Sequence, residues 1–71
     1  MIKLGKYKHY KGKEYEVVGI ARHSETLEEF VVYKALYQVE GANLWVRPLK
    51  MFIEEVEIDG KKMPRFEFLG K

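Results

Sequence analysis

Glu54-Glu55-Val56-Glu57-Ile58-Asp59-Gly60-Lys61 is the stretch that decides the fold. Its alternation sets Val56 and Ile58 on one face and Glu55 and Glu57 on the other, the period-two pattern of a strand. Asp59-Gly60 follows at once, a good two-residue hairpin turn because both residues tolerate positive φ. The return strand is read over Lys61 to Phe68. Upstream, turn signals recur at short intervals, at Lys11-Gly12-Lys13, Gly41-Ala42-Asn43 and Pro48. That spacing suits an all-β domain better than a helical bundle.

The remaining strands follow from the segments between those turns. Tyr7 to Tyr10 places Tyr7 and His9 on one face, with Lys8 and Tyr10 on the other. Glu14 to Ala21 is rich in β-branched residues, and Gly19 within it predicts a bend or bulge. A third strand is expected over Phe30 to Tyr37. Thr26-Leu27-Glu28-Glu29 matches a helix capping box. A helix continuing from it would put Lys34 on the apolar stripe, so a loop or single turn at residues 24–28 is expected, then strand. Pro48-Leu49-Lys50-Met51-Phe52 reads as one helical turn opened by proline. The expected whole is mainly β, a single domain over residues 1–71. Five or six short strands, with at most one or two helical turns, would close into a small barrel and so remove exposed edges. The expected core is Phe30, Phe52, Phe66, Phe68, Val17, Val32, Leu36, Val46 and Val56.

Composition bounds what such a domain can do. At 71 residues the chain buries only ~60% of its unfolded surface, so its core is thin. It has no cysteine, which removes both disulfides and thiolate zinc sites as supplements. Hydrophobic residues at 46% and charged residues at 34% argue against wholesale disorder. No apolar run approaches a membrane span, and the N-terminus lacks the apolar core of a signal peptide, so a cytoplasmic location is expected.

The net charge of +2 is small, but it is unevenly placed. Residues 1–13 hold five lysines and no acid, residues 14–59 hold ten acids against four bases, and residues 60–71 hold four bases against one acid. Basic ends lying beside an acidic middle would neutralise it across neighbouring strands. That reading is favoured over a basic face for an anionic partner.

The ordered motifs His9-Tyr10-Lys11-Gly12, Ala21-Arg22-His23-Ser24-Glu25-Thr26, Val31-Val32-Tyr33, Leu36-Tyr37, Leu44-Trp45-Val46-Arg47-Pro48 and Met51-Phe52 resemble the bacterial family called domain of unknown function 1653. The resemblance covers roughly residues 5 to 68. It implies a small β-barrel similar to the Src-homology-3 type and implies no activity, because the family name records none. Fold analogy does not supply one, since small barrels serve unrelated roles.

Arg22-His23-Ser24-Glu25-Thr26 is the most chemically varied run and sits between two strands. His23 beside Ser24 invites a nucleophile-and-base reading, yet no glycine-flanked elbow surrounds Ser24 and no third group orients the pair. A structured turn, with Ser24 and Thr26 hydroxyls satisfying local backbone, is the plainer alternative. An intermediate one has Arg22, His23 and Ser24 binding a small anion. His9 and His23 are the only histidines, so no metal site and no cofactor are expected. Tyr7, Tyr10, Tyr15, Tyr33, Tyr37 and Trp45 offer material for a groove, although a domain this small must spend several of them on its core. Arg47, before Pro48, reads first as a partner for an acidic residue of the middle segment.

The reading favours a small non-catalytic binding module for a peptide, a short nucleic acid or a small anionic ligand, with nucleic acid the least favoured of these. Its expected ligand-binding residues are Arg22, His23, Ser24, Glu25, Thr26, Trp45 and Arg47. The alternatives are a small enzyme using His23-Ser24-Glu25, and a structural domain whose free strand edge forms a homodimer.

Overall fold

The computed structural model describes residues 2–37 and 40–71. Seven strands and one helical turn follow in the order β1 (Gly5–His9), β2 (Glu14–Arg22), β3 (Glu29–Ala35), β4 (Leu44–Pro48), α1 (Leu49–Phe52), β5 (Glu55–Ile58), β6 (Lys61–Pro64) and β7 (Phe66–Gly70). The larger sheet is antiparallel in the order β4-β3-β2-β1-β7, and β5 and β6 form a separate hairpin. Asp59 and Gly60 both take positive φ, 52° and 78°, as a two-residue hairpin turn between twisted strands requires. The register between β2 and β3 shifts between Val17 and Gly19, which is the expected bulge.

The mainly β reading therefore stands, with two corrections. Among the described residues there are seven strands rather than five or six, because Pro64 ends β6. Lys61 to Phe68 is thus two strands, and Arg65 N–H leaves the ladder to bond the Glu54 carbonyl at 3.1 Å. The barrel is not closed either, since no backbone ladder joins β4 to β7 among the described residues.

The sheet is nonetheless strongly curled. Tyr33 and Phe66 stand three strand spacings apart, ~14 Å in a flat sheet, yet their ring centroids are 5.7 Å apart. The turn α1 fills the hollow with Phe52, only 2% exposed, which stacks on Phe66 at 4.1 Å and meets Tyr7 at 5.4 Å. Tyr7, Val17, Val31, Tyr33, Phe52 and Phe66 form one core cluster.

Val17, Phe52 and Phe66 were expected there, and Phe30, Val32, Val56 and Phe68 are half-buried. Val46 and Leu36 are exposed instead, because β3 turns its odd residues Val31, Tyr33 and Ala35 inward. Both faces of β3 carry apolar residues, so alternation alone does not reveal its phase. Tyr33 settles it by burying its ring while its hydroxyl meets Arg47.

The charge distribution resolves across the strands. Lys6 lies opposite Glu16, Glu16 opposite Lys34, Lys8 opposite both Glu14 and Glu67, and Glu57 opposite Lys62. Opposite charges thus stand in register across neighbouring strands, the arrangement that the favoured reading of the basic ends expected.

Candidate functional site

The inward residues at one end of the curled sheet are aromatic and cationic rather than aliphatic. His9 ends β1 and lies opposite Phe66 of β7, with ring centroids 4.9 Å apart. Tyr15 opens β2, and its ring meets Tyr33 at 5.3 Å, Tyr37 at 5.6 Å and Phe66 at 5.8 Å. On β4, Trp45 lies opposite Tyr33 and Arg47 opposite Val31. The Arg47 guanidinium reaches across the hollow. Its Nε donates to the Tyr33 hydroxyl at 3.4 Å, and its Cζ sits 5.6 Å from the Phe66 ring. Those two residues are four strand spacings apart, so only the curl makes the contact possible.

Electrostatics separate this cleft from the outer face, where opposite charges stand in register. Among the described residues the ion pairs are Arg22–Glu29 at 3.9 Å and Arg65–Glu54 at 2.8 Å, and neither includes Arg47. The acidic partner expected for Arg47 is therefore absent from the described residues. Arg65 adjoins Phe66, and its buried Nε has no hydrogen-bond partner among the described residues, while its Nη2 donates to Glu54. Burial first, and then the positive fields of Arg47, Arg65 and Lys11, hold the His9 imidazole below its ordinary value of 6.5. The Lys11 backbone N–H donates to His9 Nδ1 at 3.1 Å. Nδ1 is thus unprotonated and Nε2 carries the proton as a donor. Tyr15 and Tyr37 hydroxyls bond at 3.0 Å. Burial and that bond push the Tyr15 phenol up to about 12. The Tyr15 phenol is therefore a neutral hydrogen-bonding group near neutral pH.

Of the residues expected to bind a ligand, the structure brings Arg47 into this cleft and sets Trp45, exposed, on the same face opposite Tyr33. Arg22 ends β2 opposite Glu29, and His23 to Thr26 form the β2–β3 connection. Arg22 lies seven residues from Tyr15, ~23 Å of extended chain, and two from Ile20, which like Arg47 flanks Val31; its guanidinium faces Glu29 at 3.9 Å. The connection is held by its own bonds. His23 N–H donates to the Glu28 carbonyl at 2.8 Å, and Leu27 N–H donates to the His23 carbonyl at 2.9 Å. His23 Nδ1 accepts from Glu25 and Thr26 backbone N–H at 3.1 and 3.3 Å, and Thr26 Oγ1 accepts from Glu28 N–H at 3.2 Å. The Nδ1 lone pair is thus already engaged, and no hydrogen bond joins His23 to Ser24 among the described residues. No group of three or more metal-ligating side chains occurs among them either.

Arg65 and His9 are the cleft residues that sequence reasoning passed over. Pro64 carried the available signal, since a proline ends a ladder and frees the next residue from it.

The cleft is held by residues from β1, β2, β3, β4 and β7, and one comparison spans them all. A family described as a protein of unknown function (DUF1653) matches residues 5–68. The chain belongs to the DUF1653 family. Among solved structures it is similar to the crystal structure of a DUF1653 protein from Bordetella bronchiseptica. The two share 39% identity over 97% of this chain and 88% of the other, with a TM-score of 0.90. No curated protein matches. Every residue named in the cleft of this DUF1653 protein, from His9 to Phe66, lies inside the matched range, and the family description assigns it no activity. No helix among the described residues is long and apolar enough to cross a membrane.

Proposed function

We propose that this DUF1653 protein is a non-catalytic binding module, a half-open barrel of the Src-homology-3 type whose mouth takes a small anionic ligand. The observation that carries this reading is Arg47, an inward guanidinium bonded to the Tyr33 hydroxyl with no carboxylate paired to it among the described residues. A fixed cation between aromatic rings attracts an anion more strongly than one in open water, because the low-dielectric walls screen it less. Arg47 supplies the charge and the N–H fork, Arg65 Nε and His9 Nε2 supply further donors, and the half-exposed Trp45 forms one wall. The Arg22 to Thr26 segment serves in this reading to close the β2–β3 hairpin rather than to bind. Catalysis has no support, because His23 spends its basic nitrogen on backbone amides.

The test is to titrate inorganic phosphate, acetate and a nucleoside monophosphate, each in turn, into isotopically labelled protein and follow chemical shifts. Perturbations should map to His9, Trp45, Arg47 and Arg65. Arg47→Met should lower affinity by about tenfold or more, the loss of one charge-assisted contact, while the melting temperature stays nearly unchanged. Shifts confined to residues 22–26 would move the site to the hairpin connection and overturn the reading.

A further inference from the structure

The last strand of the larger sheet has a free edge whose bonding pattern follows from its register with β3. Ala35 N–H donates to the Asn43 carbonyl at 3.1 Å, so residues 35 and 43 form a hydrogen-bonded antiparallel pair. The register then continues Tyr33 with Trp45 and Val31 with Arg47. In an antiparallel ladder hydrogen-bonded pairs alternate with non-bonded ones. Trp45 and Arg47 thus turn their backbone groups toward β3, while Leu44, Val46 and Pro48 turn theirs to the open edge. Proline fits this assignment, because Pro48 stands where β3 needs no N–H. Among the described residues no other backbone group bonds to the outward groups of Leu44 and Val46.

The side chains leave that edge unguarded. Leu44, Trp45 and Val46 are consecutive, apolar and 59%, 44% and 62% exposed. Natural sheet edges are commonly protected by charges, proline, bulges or a covering loop, and on β4 such residues, Arg47 and Pro48, stand only at the C-terminal end. The opposite edge, β7, has such protection, with Glu67, a register shift against β1 and a positive φ at Gly70. β4 has none between Leu44 and Val46.

We propose that β4 is a homodimerisation edge, pairing antiparallel with β4 of a second copy about a two-fold axis at Val46. A second copy is the occupant that the sequence of the strand fits. With Val46 opposite itself, the outward N–H and C=O of both Val46 residues bond reciprocally. Leu44 N–H then meets the Pro48 carbonyl of the other copy, and the donor that Pro48 lacks falls at the end of the ladder. The same register places Trp45 opposite Arg47 of the second copy in a non-hydrogen-bonded pair, where side chains approach closest. The Arg47 guanidinium stays with the Tyr33 hydroxyl and the Phe66 ring, so the aliphatic stem of the arginine is what packs against the indole, twice by the symmetry. A strand of five residues buries little surface, so the association is weak and concentration-dependent.

Sedimentation equilibrium over a rising concentration series tests this, together with amide hydrogen exchange at the low and high ends. The average mass should climb toward twice that of the monomer, and the Val46 amide should gain protection only at high concentration. Val46→Lys sets two like charges face to face on the axis, on an already exposed outer-face position. It should remain monomeric throughout, while anion-induced shifts at Arg47 persist in the monomer. A wild-type chain monomeric at every concentration would overturn the proposal. So would a Val46→Lys chain that associates as the wild type does, or association without protection at Val46, which would point to another surface.

Discussion

At the scale of single residues, His9 ties stability to pH in a direction that its surroundings fix. Its imidazole lies below the ordinary 6.5 because of burial, and then because Arg47, Arg65 and Lys11 disfavour a further positive charge. The unfolded chain therefore takes up this proton at a higher pH than the folded one. Above the unfolded value both states are neutral and the contribution is constant. As pH falls from about 6.5 toward the depressed folded value, protons favour the unfolded chain and stability declines, levelling once both states are charged. Denaturant titrations across that window should show the decline in the wild type. His9→Gln should flatten it, and an equal slope in the variant would assign the titration to another group. Tyr33 and Arg47 make a separate point at this scale. The hydroxyl lets a core ring end in a polar contact, so a residue reads as core and as site at once.

At the scale of elements, the β2–β3 connection separates two roles that adjacent residues share. His23 Nδ1 accepts from two backbone amides, whereas the Ser24 side chain makes no hydrogen bond among the described residues. His23→Ala should therefore cost about 0.5–1.5 kcal/mol, the net worth of modest hydrogen bonds near solvent. Ser24→Ala, at an exposed position, should stay within about 0.5 kcal/mol. Chemical denaturation of both variants checks the contrast, and equal losses would show that Ser24 also holds the turn.

This connection was legible in outline, because Thr26 and its neighbours compete for local backbone bonds and so favour a turn over a helix. The Asp59-Gly60 hairpin, the Gly19 bulge and the proline-opened α1 were legible for the same reason: each depends on a local backbone requirement. The division of Lys61 to Phe68 was less so, because its apolar pattern runs on past Pro64. The phase of β3 was hidden, since Val32 and Val31 suit either face. Of the candidate site, Trp45 and Arg47 stood out as residue types. Their convergence with His9 and Arg65 depends on curl across five strands, which no local pattern encodes.

At the scale of the whole molecule, that curl rests on one side chain. The larger sheet is not closed by backbone bonds, so what holds β3 against β7 is the packing inside the hollow. Phe52 supplies it, stacked on Phe66 at 4.1 Å and near Tyr33 at 5.7 Å and Tyr7 at 5.4 Å. A chain of 71 residues has a total stability of only about 4–10 kcal/mol on the usual per-residue scale. Truncating a buried phenylalanine costs about 3–5 kcal/mol. Phe52→Ala should therefore remove much of the margin, and the hollow cannot collapse easily because β4 and β7 lack a ladder to draw them together. The Arg47 guanidinium lies over the Phe66 ring that Phe52 supports, so the cleft should loosen with the core. Phe52→Leu retains most of the volume and should keep a cooperative melt at a lower temperature, with anion-induced shifts weakened but still centred on Arg47. Thermal melts followed by circular dichroism, and the same anion titrations on Phe52→Leu, measure both effects. A Phe52→Ala chain that melts as the wild type does would mean that the strands hold the curl without the ring.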